Sequence, residues 1–254
     1  MTTRTALRYA LASGVLACAC AAWAQTAPGL LLITTIKVKP EMRQEWLDMQ
    51  RTEVTPAYKK AGIANYQVLS TAVFGDADEF TTALPVTNAA TFDSDSPIVK
   101  ALGSEGSARL LAKLRKCTVS VHRILVKARG DLSIDGEMTA PPKLMVLTSV
   151  TVKAGTAPDY ERWLKTELLP GLKKGGQKMY LVSSTLFGGT LLTYHSVTFA
   201  NSFADLDKPS ALIAGLGQEG ADKVMSHSTM VEHVERNVYR IMPELSIFGA
   251  PGTN

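Results

Sequence analysis

The rhythm of apolar and polar positions changes along the chain in a pattern that occurs twice. Leu30 to Lys39 begins as an unbroken apolar run and ends in alternation, and Leu144 to Lys153 does the same. Each run predicts a strand that needs cover on both faces. Pro40-Glu41 opens a helix after the first strand, proline being tolerated in a first turn. After the second, Thr156 is the expected N-cap, with Asp159 three residues on. Gly62 and Gly176 are placed to end these helices, and Pro56 and Pro170 to bend their last turns. Tyr66 to Phe74 and Tyr180 to Phe187 read as second strands, Phe80 to Val86 and Leu191 to Phe199 as third strands. Gly188-Gly189 suits a tight hairpin. Ser96-Pro97 and Asp207-Lys208-Pro209 open second helices, and Val119 to Lys127 and Val231 to Ile241 are last strands.

This doubling is an internal repeat. Shifting the sequence by 114 positions aligns residues 34–106 with a later stretch without gaps, with 21 identities in 73 positions, against roughly five by chance. Lys59-Lys60 and Gly62 return as Lys173-Lys174 and Gly176. Thr52-Glu53 returns as Thr166-Glu167. After a one-residue deletion, Leu132-Ser133-Ile134 returns as Leu245-Ser246-Ile247. The expected organisation is a signal peptide over residues 1–24, repeats over 30–134 and 144–247, a turn-rich linker over 135–143 and a tail over 248–254. Strand, helix, strand, strand, helix, strand is the split βαβ, ferredoxin-like order. One such copy would leave an apolar sheet face bare. Two tandem copies can turn these faces on each other, so the expected fold class is α+β, with the two repeats packed sheet to sheet as a pseudo-dimeric barrel.

With these elements and the Lys-Lys-x-Gly ends of the first helices, the chain resembles the dimeric α/β-barrel superfamily. Its NIPSNAP, EthD and antibiotic-monooxygenase-like branches are the most similar. The resemblance spans nearly all of residues 30–247 and implies a barrel built from two fused units.

The N-terminus predicts export. Arg4 and Arg8 precede an apolar stretch from Tyr9 to Cys20 that is too short to span a bilayer, and Ala22-Trp23-Ala24 has the form cut by signal peptidase. A periplasmic or secreted protein beginning at Gln25 follows, with a lipid anchor on Cys18 as the alternative. No later apolar run is long enough for a transmembrane segment. Without Cys18 and Cys20, Cys117 is alone and reads as a small buried hydrophobe. The formal charge of +4 falls to +2 without Arg4 and Arg8, 25 basic residues against 23 acidic. So weak a balance gives no case for a nucleic-acid partner.

Candidate chemistry is sparse. On a helical count from Trp46, Glu53 projects from the apolar face of its helix, and Glu167 does so in the second copy. Such a carboxylate either carries protons at a raised pKa or makes a structural hydrogen bond. His195 follows Tyr194 in a strand and shares a face with Leu191, Val197 and Phe199. If that face packs on helices, His195 is a satisfied core histidine; if it lines the barrel, it is a base or a haem ligand. Tyr66, Tyr180, Tyr194, Trp46 and Trp163 are candidates for contacting a ligand, or core aromatics. No metal-spaced motif, phosphate loop or dinucleotide fingerprint occurs. The expected function is binding of a small apolar ligand in or near the barrel, without a cofactor. One alternative is a cofactor-independent oxygenase or isomerase-like enzyme with a glutamate base. A lower one is a haem enzyme resembling chlorite dismutase, also built from two fused units. Assembly into a homo-oligomer is compatible with either.

Overall fold

The computed structural model describes residues 29–136 and 141–249, with the backbone alone at 227 and 228. The predicted signal peptide, its cleavage site, Cys18 and part of the linker lie outside them.

The first half runs β1 (Leu30–Val38), α1 (Arg43–Met49), α2 (Thr55–Lys60), β2 (Asn65–Thr71), β3 (Glu79–Val86), α3 (Pro97–Cys117) and β4 (Thr118–Ala128). The second runs β5 (Leu144–Val152), α4 (Ala157–Trp163), α5 (Leu169–Lys174), β6 (Leu181–Phe187), β7 (Thr193–Ala200), α6 (Ala211–Met225) and β8 (Val231–Ile241), followed by the short β9 (Ile247–Phe248). A π-helical turn joins each short helix pair, over Gln50–Val54 and Leu164–Leu168, just ahead of Pro56 and Pro170. The bend expected at the prolines is thus a change of helical pitch one turn earlier. Thr156 does not cap α4; its hydroxyl donates to the carbonyls of Lys153 and Met230. Ser210, rather than the Asp207–Pro209 segment, starts α6 by accepting from the Ile213 amide. Gly103 and Gly217 break α3 and α6 at φ of 70° and 72°, a backbone region that glycine enters without steric cost.

All strand pairings are antiparallel. β1 lies between β3 and β4, with β2 beside β3; β5 lies between β7 and β8, with β6 beside β7. Two seams join the halves. β4 pairs with β6 from Leu125 to Ala128, and β2 pairs with β8 from Leu69 to Thr71. The eight strands therefore close into a barrel. This differs from the expected sheet-on-sheet packing: the two sheets meet edge to edge, which pairs backbone groups that open edges would leave bare.

Helices cover the outside. Val38, Trp46, Tyr66, Val68 and Phe80 form the buried core under the first helices, where Trp46 stacks on Phe80 with ring centroids 4.3 Å apart. Cys117 is buried in the same core, as expected, and burial pushes its thiol pKa up. Val152, Tyr160, Leu164, Val182 and Tyr194 form the matching core of the second half.

The segment after each last strand crosses to the other half. Leu132 and Ile134 are buried in the second half's core, and Leu245 and Ile247 in the first's. Ser133 Oγ accepts from the Val182 amide and Ser246 Oγ from the Val68 amide, both at 2.9 Å. Each half thus completes the other. Leu132 and Leu245 are both fully buried, so truncating either to alanine is expected to cost about 3 kcal/mol. In urea unfolding, each variant should lower the stability of the whole molecule in one transition. Separate transitions for the two halves would contradict this.

Candidate functional site

Strand alternation divides the side chains between the helical layer and the barrel interior. Ile36, Val38, Phe80, Tyr194 and Val182 belong to the helix-facing cores. Their neighbours Thr35, Lys37, Thr81, His195 and Ser183 therefore point inward. The interior is shared by both halves: Leu69 of β2 packs with Met145 of β5 and Tyr239 of β8, against Leu147, Val197, Phe199 and Ile241. An eight-stranded barrel has room for its own side chains or for one small ligand.

The lining changes character along the barrel. Toward the end where β4 and β8 begin, the cross-strand rows are polar: Lys37 with Glu79, Thr35 with Thr81 and His122, Thr151 with Thr193, and Ser149 with His195 and Glu235. Toward the other end they are mainly apolar, with Ile33 beside Ala83 and Met145 beside Phe199. Burial, then the Asp76 charge, holds the Glu79 carboxyl above its usual range, although Lys37 opposes this.

His195 is the centre of the polar section. Its Nδ1 is 2.9 Å from Ser149 Oγ and its Nε2 is 2.9 Å from Thr185 Oγ1. Burial pushes its pKa down, favouring the neutral imidazole, in which one nitrogen donates and the other accepts. The hydroxyl that receives the imidazole N–H still has its own proton to donate. Of the two environments left open for His195 by the sequence, the structure shows the barrel interior.

β3 and β7 stand four strands apart in the ring of eight, on opposite walls and running in the same direction. Thr81 of β3 holds the place that corresponds to His195, just as Thr35 and Thr71 correspond to Ser149 and Thr185. Thr81 is buried, and its contact with the Tyr239 hydroxyl falls short of good hydrogen-bond geometry. Burial and then the Glu79 charge push the Tyr239 pKa up to about 12, although its hydrogen bond with Thr81 opposes this. The barrel thus has a satisfied imidazole on one wall and a weakly engaged hydroxyl on the other.

The other sequence candidates stand outside the interior. Glu53 is bound by Lys113 of α3, with both carboxylate oxygens 3.1 Å from Nζ. Glu167 occupies the corresponding π-helical turn of the second half. Trp46 and Tyr66 lie in the first helix-facing core, where Tyr66 meets Tyr58 edge to face at 4.6 Å. Trp163, Tyr180 and Tyr194 belong to the second, and Trp163 Nε1 donates to the Val224 carbonyl at 2.9 Å.

Tyr194 leads to a group that the sequence reading missed. Its hydroxyl donates to Glu161 at 2.7 Å, and Glu161 takes two bonds from Arg129, which also holds Asp131. The Arg129 guanidinium holds both carboxyls below their usual range, Asp131 the more strongly. At the matching place in the first half, Leu47, Phe80 and Met242 pack in the core, and the charge nearest Phe80 is Arg43, which lies over its ring 4.8 Å from the centroid and pairs with Asp78. The repeat alignment contained that signal, because it sets Glu161 against Leu47 and Tyr194 against Phe80.

No protein-family model matches the chain, and no curated protein sequence matches it. Solved structures do. An anthrone oxidase-like protein superposes with a TM-score of 0.57 at 13% identity, over 86% of this chain and 93% of that one. A candidate monooxygenase from Lactobacillus acidophilus NCFM gives 0.54 at 10% identity, over 89% and 99%. A mutant chlorite dismutase from Candidatus Nitrospira defluvii gives 0.53 at 7% identity, over 86% and 93%. At such identities the likeness is one of fold: this chain shares the α/β barrel of monooxygenase-like and chlorite dismutase-like proteins.

Chlorite dismutase resemblance raises the question of haem. His195 does not fit as an axial ligand as it stands, because Ser149 and Thr185 engage both ring nitrogens. His122 and His233 are exposed. Among the described residues no three His, Cys, Asp or Glu side chains are grouped to hold a metal ion, and no helix is long and apolar enough to cross a membrane.

Two outcomes follow. With its folded pKa below the unfolded value of about 6.5, His195 leaves stability unaffected at high pH and erodes it as pH falls below that value, because the unfolded chain then binds more protons. NMR titration should show the ring more than half neutral at pH 6.5, and His195→Gln should flatten the stability curve just below it. A ring half-charged at or above pH 6.5 would contradict this. Arg129→Met alone should destabilise by about 2 kcal/mol, since it strips charged hydrogen bonds from two carboxylates. Adding Glu161→Leu and Tyr194→Phe, which copies the first half, should recover most of that loss in chemical denaturation.

Proposed function

We propose that the barrel interior is the functional site and that it binds a small, largely apolar molecule with a hydrogen-bonding group. The observation that carries this reading is the inward-facing His195, held neutral between Ser149 and Thr185 where the lining passes from polar to apolar. The weakly engaged Thr81 hydroxyl beside Tyr239 on the opposite wall supplies a second contact. A flat molecule lying across the barrel would meet His195 and its hydroxyls at one end and Thr81 with Tyr239 at the other. Its apolar body would rest on the Leu69, Met145 and Phe199 side.

One observation favours a second reading, a cofactor-independent oxygenase. A buried neutral imidazole between two hydroxyls can take a proton from an activated C–H group at the Ser149 or Thr185 side and pass it on by tautomer exchange. The anthrone oxidase-like and monooxygenase-like neighbours support that chemistry. In this version His195 is the base, not Glu53 or Glu167, which stand in the helical layer. Oxidation of 9(10H)-anthrone by dioxygen to anthraquinone and water is balanced without a further reductant.

We also propose that the halves arose by duplication of one ferredoxin-like unit, and that the chain is exported and cut after Ala24. N-terminal sequencing of protein from the periplasm should then begin at Gln25.

Anthrone tests both readings. Added without oxygen, it should shift the amide signals of Ser149, Thr185 and Val197, and His195→Phe, which releases the Ser149 and Thr185 hydroxyls that the imidazole holds toward the ligand, should weaken binding about tenfold, the equivalent of one hydrogen bond. Shifts confined to the helical layer would contradict an interior site. With oxygen, anthraquinone formation that disappears in His195→Phe supports the oxygenase. Binding without turnover leaves ligand binding as the function.

A further inference from the structure

The strand edges that the barrel does not use differ between the halves. β4 pairs with β1 along nearly its whole length but meets β6 only from Leu125 onward. β8 pairs with β5 in the same way and meets β2 only at Tyr239 to Ile241. Among the described residues, the first part of each last strand therefore has one free edge. Residues 119–123 and 232–236 are exposed. On the β4 side, the hairpin at Gly188 closes up to the Arg123 carbonyl, where an added Cβ would lie 2.1 Å from the oxygen. This leaves residues 118–122 open.

An exposed flat edge pairs with another strand unless charge or shape prevents it. The β8 edge is guarded: Glu232, Glu235 and Arg236 stand within five residues. The matching β4 segment, Thr118-Val119-Ser120-Val121-His122, has no acid, lysine or arginine. Its outer face carries two valines, Val119 at 59% exposure and Val121 at 45%, with no helix over them.

We propose that the β4 edge is a homodimer interface, in which residues 118–122 pair antiparallel with the same residues of a second copy about Ser120. That register sets Val119 of one chain opposite Val121 of the other and brings no like charges together, a favourable cross-strand arrangement. Each copy presents the same patch, so the contact closes at two chains. A five-residue seam buries less than the roughly 800 Å² per partner of a stable interface. The dimer therefore forms at micromolar or higher concentration and separates on dilution.

Sedimentation equilibrium of the full chain, from low micromolar to near-millimolar protein, tests this. The mean mass should rise toward twice that of the monomer, and hydrogen exchange should show residues 119–122 gaining protection as concentration rises. A Val119→Lys and Val121→Lys double variant should stay monomeric with an unchanged melting temperature, since both side chains already face solvent. A full chain that stays monomeric throughout overturns the proposal, as does a double variant that associates like the parent. If the full chain stays monomeric but a chain without residues 1–28 dimerises, the edge is covered by the protein's own N-terminus and the proposal also fails.

Discussion

Backbone pairing at two short seams governs the structure. β4 with β6 and β2 with β8 each contribute a few antiparallel pairs, yet they turn two four-stranded sheets into one closed barrel. Without them, each half would leave open strand edges and a sheet face bare on the side away from its helices. The crossing arms reinforce the seams. Leu132 and Ile134 finish one core and Leu245 and Ile247 the other, so neither half contains all the apolar side chains that its helices need. A single shared interior follows from this interdependence.

That interior is symmetric in backbone and asymmetric in chemistry. Ser149, Thr185 and His195 face Thr35, Thr71 and Thr81 across the barrel, so one change from threonine to histidine turns a ring of hydroxyls into a one-sided site. The helical layer has diverged in the opposite sense. Its charged group, Arg129 with Glu161 and Tyr194, stands where the first half has the apolar Met242, Leu47 and Phe80. Hydrogen bonds satisfy that group within the protein, which fits a role in docking the crossing arm. His195 is also satisfied, but by hydroxyls that retain hydrogen-bonding capacity toward the interior.

Much of the fold was legible in the sequence because strand and helix periodicity occur twice at a fixed offset, and each copy supports the reading of the other. The seams were not legible. The repeated Leu-Ser-Ile segments show that residues 132–134 and 245–247 do the same work, but no local pattern says that each does it in the opposite half. The face of His195 could not be chosen either, since β7 carries apolar residues on both sides: Tyr194 toward the helices, Val197 and Phe199 inward. Glu53 shows a different failure. A helical count assumes a constant pitch, and the π-helical turn at Gln50–Val54 breaks it. The side chain turns out of the apolar stripe toward Lys113. Thr81 escaped notice because nothing in a sequence marks a threonine whose buried hydroxyl will be only weakly engaged.

Native-state hydrogen exchange at the seams tests the closed barrel most directly. If the halves complete each other, the amides that donate across the seams, Arg129 to Val182, Ala72 to Val238 and Met242 to Val68, should exchange only through global unfolding, with the same free energy as the paired amides between β1 and β3. Seam amides that exchange by a lower-energy opening, while both sheets stay protected, would show two separable halves and contradict a shared interior.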